Sequence, residues 1–283
     1  LITAQRQGGA GVFPTPAWEG QSRDRVRMLT DRFVKQARRD GVLDQVVRNG
    51  WIIDDRGGSG DLHFDNGVSG EALLAWHAVF PNPEYLAAAR AAGDWAMAQP
   101  LSANFNYNGF AAAFLARLGV ATGERRYLDE AVLRIRLGVL PGMIAGGPFA
   151  GHWVDPHNER LVYRLIMIRQ MAVVAAALPK GNADRAFISG RLQIALDAAE
   201  DQQRAVQKIA HWEVSAKAYC DLATLPDVMP KRPDVVSVVR DFVIVQAQQL
   251  VPRVDPHTFQ CSLSLTPTVP LPNTPDERHQ WPK

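Results

Sequence analysis

The chain has 283 residues, of which 47% are hydrophobic and 21% charged, with a formal net charge of +2. This composition is typical of a globular protein and excludes a disordered chain. The small net charge argues against a nucleic-acid partner, and no uncharged apolar run approaches the ~20 residues that cross a bilayer, so we expect no transmembrane segment. Cys220 and Cys261, the two cysteines, would form one disulfide or remain free thiols.

The N-terminal part of the chain is predicted to be an arm followed by one helix. Residues 1–21 are rich in Gly and Pro and show little periodicity, which indicates an extended arm. Residues 22–43 carry apolar side chains at helical spacing and reach a stop signal at Gly41, as in an amphipathic helix. The acidic, glycine-rich segment 54–61 lacks the spacing of a calcium-binding loop and is interpreted as a solvated connection.

The stretch 61–134 contains one pattern twice, and the second copy follows the first by 42 residues. Asn66-Gly67 returns as Asn108-Gly109. Other residues repeat at the same spacing, namely Leu73 with Leu115, Tyr85-Leu86 with Tyr127-Leu128, and Ala89 with Ala131. A repeat of this length made of two helices is typical of stacked α-hairpins.

Helix start and stop signals divide this repeat and the chain after it. Asn82, Pro83 and Glu84 together supply an N-cap, a proline at the first helical position and an acid in the first turn. Gly123 is placed to end the preceding helix. The predicted helices are 67–80, 83–99, 109–121, 125–139, 159–178, 182–206, 211–222 and 233–250.

The predicted helices alternate between nearly all-apolar and amphipathic ones. An arc or ring of hairpins with the apolar helices inside would bury the apolar surfaces. We therefore predict an all-α fold of α-hairpin repeats in residues 22–252. The arm 1–21 precedes it, and an irregular or short-β tail rich in Thr and Pro follows at 253–283.

Polar residues cluster where the inner helices are expected to begin. If these helices start on one side of the ring, their polar residues converge on one cleft, and the helix N-termini there favour anionic groups. The candidates are His63, Asp65, Asn66, Asn106, Tyr107, Asn108, His152, Trp153, Asp155, His157, Arg160 and Tyr163.

Three segments carry a resemblance to a known class of enzymes. They are His63-Phe64-Asp65-Asn66-Gly67, Asn-Pro-Glu-Tyr-Leu at 82–86, and Thr-Gly-Glu-Arg-Arg-Tyr-Leu-Asp-Glu-Ala at 122–131. Over residues 60–180 the chain resembles the (α/α) toroid carbohydrate-active enzymes, and most of all the unsaturated glucuronyl hydrolases. The resemblance implies a complete or incomplete (α/α) toroid and an oligo- or polysaccharide substrate that contains uronate.

Two reactions fit such a substrate. A glycoside hydrolase needs a carboxylic acid to protonate the leaving oxygen and a carboxylate to activate water, and Asp65 with Asp155 is the expected pair. A polysaccharide lyase needs a neutralised uronate, a base and an acid. The lyase candidates are His152 or His157 together with Tyr163, helped by Asn108 and Arg160. Hydrolysis is the preferred expectation.

The remaining polar candidates would bind substrate, and each has a structural alternative. The binding set consists of His63, Asn66, Asn106, Tyr107, Asn108, Trp153, His157 and Arg160. Asp65 and Asp155 would equally serve as a helix cap and a turn opener, and polar groups on the apolar helix 159–178 would form a buried network.

A non-catalytic role is a further alternative to the two reactions. An arc of α-hairpins is also a scaffold that binds partners on its concave face without catalysis. No metal or other cofactor is expected. We expect an exported protein, periplasmic or extracellular, with the cytoplasm as the alternative.

Overall fold

A computed structural model describes residues 1–9, 11–13, 62–205 and 212–231, together with 28, 31, 32, 34–41 and 43. Within these residues every regular element is helical apart from one β-bridge between Met143 and Trp153, so the all-α prediction is confirmed there. None of the helices in this part of the chain is long and apolar enough to cross a membrane. The predicted loop 54–61, helix 233–250, tail 253–283 and Cys261 lie outside the described residues.

The named helices are numbered here in chain order. They are α1 (Ile2–Gly8), α2 (Leu62–Val79), α3 (Pro83–Ala98), α4 (Phe105–Thr122), α5 (Arg125–Arg134), α6 (Leu161–Ala177), α7 (Ala183–Ala205) and α8 (Trp212–Leu222). A π-helix, Ile135–Val139, and a 3-10 turn, Leu140–Gly142, continue α5. Most of the described positions between 28 and 43 are also helical, as predicted.

Three boundaries differ from the prediction. Helix α2 begins at Leu62 and α4 at Phe105, several residues earlier than expected, so the polar residues predicted to precede these helices lie inside their first turns. Residues 2–8, predicted as part of an extended arm, form α1 instead. The buried side chain of Gln5 anchors this helix by donating to the carbonyl oxygens of Gly11 and Ala88.

The helices form two layers of hairpins. Helices α2, α4, α6 and α8 make a row in which each packs against the next, and we call them the inner helices. Helix α3 packs on α2, α5 on α4 and α7 on α6. Three of the inner helices, α2, α4 and α6, carry the most apolar sequences, and Ala111 to Ala116 in α4 are almost completely enclosed. The predicted hairpin repeat is therefore present in the described chain.

The duplicated asparagine joins the two layers in both hairpins. Asn66 Nδ2 donates to the carbonyl oxygen of Ala92 in α3 at 2.9 Å. Asn108 Nδ2 donates to the carbonyl oxygen of Gly138 in the π-helix after α5, also at 2.9 Å. Both amides are buried, so each bond satisfies polar groups that water cannot reach. The repeated Asn therefore fixes an inner helix to its outer partner.

Glycine allows neighbouring inner helices to approach closely. A Cβ on Gly67 would lie 2.8 Å from the carbonyl oxygen of Phe110, and one on Gly70 would overlap the ring of Phe114. Gly109, which repeats Gly67, faces α6 in the same crowded way. In the duplicated Asn-Gly pair, the glycine therefore allows neighbouring inner helices to pack closely, whereas the asparagine bonds an inner helix to the outer layer.

The predicted start of α3 is confirmed in detail and gives a first test. Asn82 Oδ1 accepts a hydrogen bond from the backbone N–H of Glu84 at 2.9 Å, and Pro83 occupies the first helical position. We expect Asn82→Ala to lower the free energy of unfolding by about 1 kcal/mol, because it removes this cap. Asn82→Asp keeps the acceptor and is the matched control. Urea unfolding measures both, and an Ala variant as stable as the wild type would contradict the assignment.

Candidate functional site

The inner helices border an open groove with a volume of about 1140 Å³. Its walls are mostly apolar, with Phe64 and Val68 from α2, Phe110 from α4, and Ile166 and Val173 from α6. The rings of Phe64 and Phe110 meet edge to face with their centroids 4.6 Å apart. The groove thus offers aromatic and aliphatic surface over most of its length.

Four charged residues, one from each inner helix, meet in this groove. They alternate in sign around a closed ring and are called the charge quartet, namely Glu71, Arg117, Asp221 and Arg169. Arg169 contacts Glu71 Oε2 at 2.6 Å and Asp221 Oδ2 at 2.8 Å. Arg117 contacts Asp221 Oδ1 at 2.8 Å and Glu71 Oε1 at 3.5 Å. Burial by itself would lower the pKa of Arg169, but the two carboxylates outweigh it and raise that pKa.

Three predicted site residues lie at the N-terminal end of the groove. Asp65, Tyr107 and Tyr163 are half-buried, and we call this end the mouth. Residues three apart share a helix face, and each of the three precedes by three positions a residue that lines the groove, namely Val68, Phe110 and Ile166. Helical spacing therefore puts each of these residues on the same helix face as a groove-lining residue, although none of the three lines the groove itself.

Tyr163 belongs to a compact cluster of three predicted residues, which we call the mouth triad; like Tyr163, its other two members do not line the groove. The rings of His157 and Tyr163 stack with centroids 4.1 Å apart, and the Arg160 guanidinium lies 4.5 Å from the centre of the Tyr163 ring. Arg160 Nη2 lies 3.0 Å from His157 Nδ1. Since arginine only donates, this contact assigns Nδ1 as the acceptor of a neutral imidazole. Burial, aided by the charge of Arg160, lowers the pKa of His157 to about 4.

A polar turn holds the mouth triad in place. Asp155 Oδ1 accepts hydrogen bonds from the backbone N–H groups of His157 and Asn158, at 3.1 and 2.9 Å. The Asn158 side chain in turn joins the start of α4, because Asn106 Nδ2 donates to Asn158 Oδ1 at 2.8 Å and Asn158 Nδ2 donates to Asn104 Oδ1 at 3.1 Å. Asp155 therefore acts as the predicted turn opener, and Asn106 is buried in the same network.

His152 belongs to a second polar cluster, which contacts α7. His152 Nδ1 lies 2.5 Å from Glu159 Oε1, and the fully buried Arg164 lies beside both. Arg164 Nη2 also donates to Gln202 Oε1 at 2.6 Å and to the carbonyl oxygen of Ala198 at 3.2 Å, both on α7. This cluster attaches the loop between α5 and α6 to the outer layer, and it does not line the groove.

Five residues predicted to bind substrate are enclosed by protein, and one of them, Asn106, belongs to the Asn158 network. Asn66 and Asn108 bind backbone carbonyls as described above, and Trp153 donates its indole N–H to the carbonyl oxygen of Val139. His63 is 1% exposed, with Nε2 3.1 Å from the carbonyl oxygen of Pro100. The geometry gives these side chains packing and hydrogen-bonding roles in place of the expected contact with a ligand.

Comparisons with protein-family models, characterised proteins and solved structures find no match to this chain. Among the described residues, no group of three or more His, Cys, Asp or Glu side chains is arranged to hold a metal ion. Sequence reasoning missed three quartet members, Glu71, Arg117 and Asp221. The sequence did contain a signal for the charge quartet, because each helix of the inner row carries a charged residue within a largely apolar segment.

Proposed function

We propose that the protein is a carbohydrate-active enzyme that cleaves a uronate-containing oligo- or polysaccharide by β-elimination at the mouth of the groove. The mouth triad is the observation that carries this proposal, because a neutral imidazole, a phenol and a guanidinium are in mutual contact there. These are the base, acid and cation that elimination next to a carboxylate requires. The proposal includes an (α/α) toroid built from the hairpins and an exported enzyme, periplasmic or extracellular.

In the proposed reaction His157 removes the proton on the carbon α to the uronate carboxylate. The electron pair of that C–H bond forms a double bond to the β carbon, and the bond from the β carbon to the glycosidic oxygen breaks. Tyr163 gives its phenolic proton to the departing oxygen. Arg160 binds the carboxylate and stabilises the negative charge that develops on it. Proton exchange with water returns His157 and Tyr163 to their starting forms.

Arg160 also controls when the base is available. In the free protein it occupies Nδ1 of His157, the nitrogen that carries the lone pair. Carboxylates bind arginine through strong, charge-assisted hydrogen bonds. A substrate carboxylate therefore draws the guanidinium away from His157 and frees Nδ1 to accept a proton. An uncharged sugar would leave the base occupied, so this arrangement favours uronates.

Hydrolysis is the second candidate, and the position of Asp65 favours it. Asp65 is half-buried at the mouth, one turn above a groove-lining residue. The partner expected from the sequence, Asp155, is already occupied by two backbone N–H groups and by Asn158. The proposal therefore ranks elimination first. A binding scaffold without catalysis is the third possibility, and it would release no product from any substrate.

The test is a panel of uronate-containing polysaccharides assayed for ultraviolet absorbance of unsaturated ends and for reducing ends. We expect both signals to rise together, and Tyr163→Phe and His157→Gln to lower the rate by at least about 100-fold. Tyr85→Phe, a change at a half-buried tyrosine on α3, is the matched control and should leave the rate unchanged. Reducing ends without absorbance, lost in Asp65→Asn, would establish hydrolysis instead.

The protonation of His157 gives a prediction that needs no substrate. Because its pKa is lowered to about 4, the ring should stay neutral from pH 8 down to about 5 and titrate only below that. Arg160→Gln removes a positive charge next to the ring, so the pKa of His157 should rise toward its usual 6.5. Nuclear magnetic resonance of the histidine ring measures both proteins. A wild-type midpoint near 6.5 would contradict the buried, Arg160-paired ring.

A further inference from the structure

The groove below the mouth has walls that suit hydrocarbon and not sugar. Its lining is dominated by Ala, Val, Ile and Phe, on which sugar hydroxyls would find no hydrogen-bond partners. Along α2 the lining runs from Phe64 to Ala78, which is about 21 Å at a rise of about 1.5 Å per residue. Glu71 of the charge quartet lies halfway along this run, so the apolar wall on either side of it is about 10 Å long. Each half can contact the first part of an alkyl chain that starts at the charge quartet.

The charged residues that line the same groove carry a net positive charge. Its charged lining consists of three cations and two carboxylates, which gives a net charge of +1. Arg117 is 39% exposed, and its contacts with Asp221 and Glu71 use Nη2 and Nε. Its Nη1 makes no hydrogen bond or ion pair to a described residue. Both acids are already neutralised by arginine, so a ligand that balances this groove is an anion.

Lys217 is a further cation among the residues that line the groove, outside the charge quartet. It precedes Asp221 by four positions and therefore lies one turn away on the same face of α8. Its side chain is exposed and has no ion-pair partner among residues 62–205 and 212–231. Arg117 and Lys217 thus both flank Asp221 and present N–H donors to the groove. Two cations beside an apolar channel are complementary to a carboxylate with a hydrocarbon tail.

We propose that the inner groove binds an aliphatic carboxylate, with the carboxylate at Arg117 and Lys217 and the chain along the apolar walls. This site uses no member of the mouth triad, so it goes beyond the proposed elimination and can be tested separately. The ligand class follows from the combination of apolar walls and a net positive charge among the described residues that line the groove.

Displacement of a fluorescent polyene fatty acid by dodecanoate and by dodecanol tests the site. Dodecanoate should compete at least tenfold better than dodecanol, because only the carboxylate meets both cations. Lys217→Gln should weaken dodecanoate several-fold and leave dodecanol unchanged, and Arg117→Gln should act in the same direction. Lys180→Gln, at an exposed lysine outside the groove, is the matched control. Equal competition by the acid and the alcohol would overturn the proposal.

Cys220 provides an independent reporter, because it is exposed and lines the groove. Peptide mapping after treatment with a small maleimide should show alkylation of Cys220 in the free protein, at least tenfold slower alkylation with saturating dodecanoate, and no protection by dodecanol at the same concentration. A Cys220 that does not react without ligand would mean that the groove is already covered, which also overturns the proposal. Tyr163→Phe should leave dodecanoate binding intact, so failure of the mouth reaction and failure of this site remain distinguishable.

Discussion

Arg169→Met is expected to lower the free energy of unfolding by about 3 kcal/mol or more. The Arg169 side chain is 15% exposed and bridges Glu71 and Asp221 at 2.6 and 2.8 Å. Methionine preserves apolar volume but leaves two largely buried carboxylates with only Arg117 between them. The cost arises from the unpaired charge, since attraction within a buried pair offsets a large desolvation penalty. Urea unfolding at pH 7 measures the change.

Two companion variants show whether charge is the cause. Arg136→Met removes an arginine from an ion pair with Asp184 in which both side chains are well exposed, so it should cost less than about 1 kcal/mol. Adding Glu71→Gln to Arg169→Met removes one unpaired carboxylate and should recover part of the lost stability. Equal effects of Arg169→Met and Arg136→Met would mean that the charge quartet does not stabilise the inner row.

Acidification from pH 7 to pH 4 is expected to remove about 3 kcal/mol of stability through each of His63 and His157. Burial lowers the pKa of His63 to about 4, aided by the charge of Arg134 and opposed by the carbonyl of Pro100. His157 has its pKa lowered to about 4 by burial and Arg160. Between pH 6.5 and 4 the unfolded chain therefore binds more protons than the folded one. The contribution is complete above pH 6.5 and is lost as the pH falls toward 4.

Unfolding free energies of wild type and His63→Gln/His157→Gln at pH 7, 6, 5 and 4 test this expectation. Carboxylates also respond to acid, so the informative quantity is the difference between the two proteins at each pH. Below pH 6.5 the wild type should lose stability relative to the variant, because its two buried histidines titrate and glutamine does not. Parallel curves for the two proteins would show that neither histidine is held neutral by the fold.

Local chemistry explains which helix ends could be predicted from the sequence. Asn82 caps α3 through a bond to a residue two positions away, and Gly123 ends α4 with the positive φ of 72° that glycine adopts readily. The starts of α2 and α4 were placed too late because Asn66 and Asn108 were interpreted as polar residues that precede a helix. Their amides instead bind carbonyls in the outer layer, which no local pattern shows.

The residues of the candidate site also differ in whether the sequence could predict their positions. Helical spacing was enough to predict that Tyr107 and Tyr163 share a helix face with the groove-lining residues Phe110 and Ile166, because spacing determines the face of a helix. The charge quartet depends on partners such as Glu71 and Arg169, which are 98 positions apart in the chain. Trp153 shows the opposite error: an aromatic residue in a polar loop suggested contact with sugar, yet its ring is 2% exposed and belongs to the core.

The glycines between α2 and α4 have a consequence for the size of the opening. At Gly67 and Gly70 there is no side chain to separate the two helices, so Phe110 and Phe114 approach the α2 backbone directly. An added methyl group there would force α2 and α4 apart, and Phe64 and Phe110 on the groove wall would have to separate with them. Substitutions at Gly67 or Gly70 should therefore widen the groove, although neither glycine lines it.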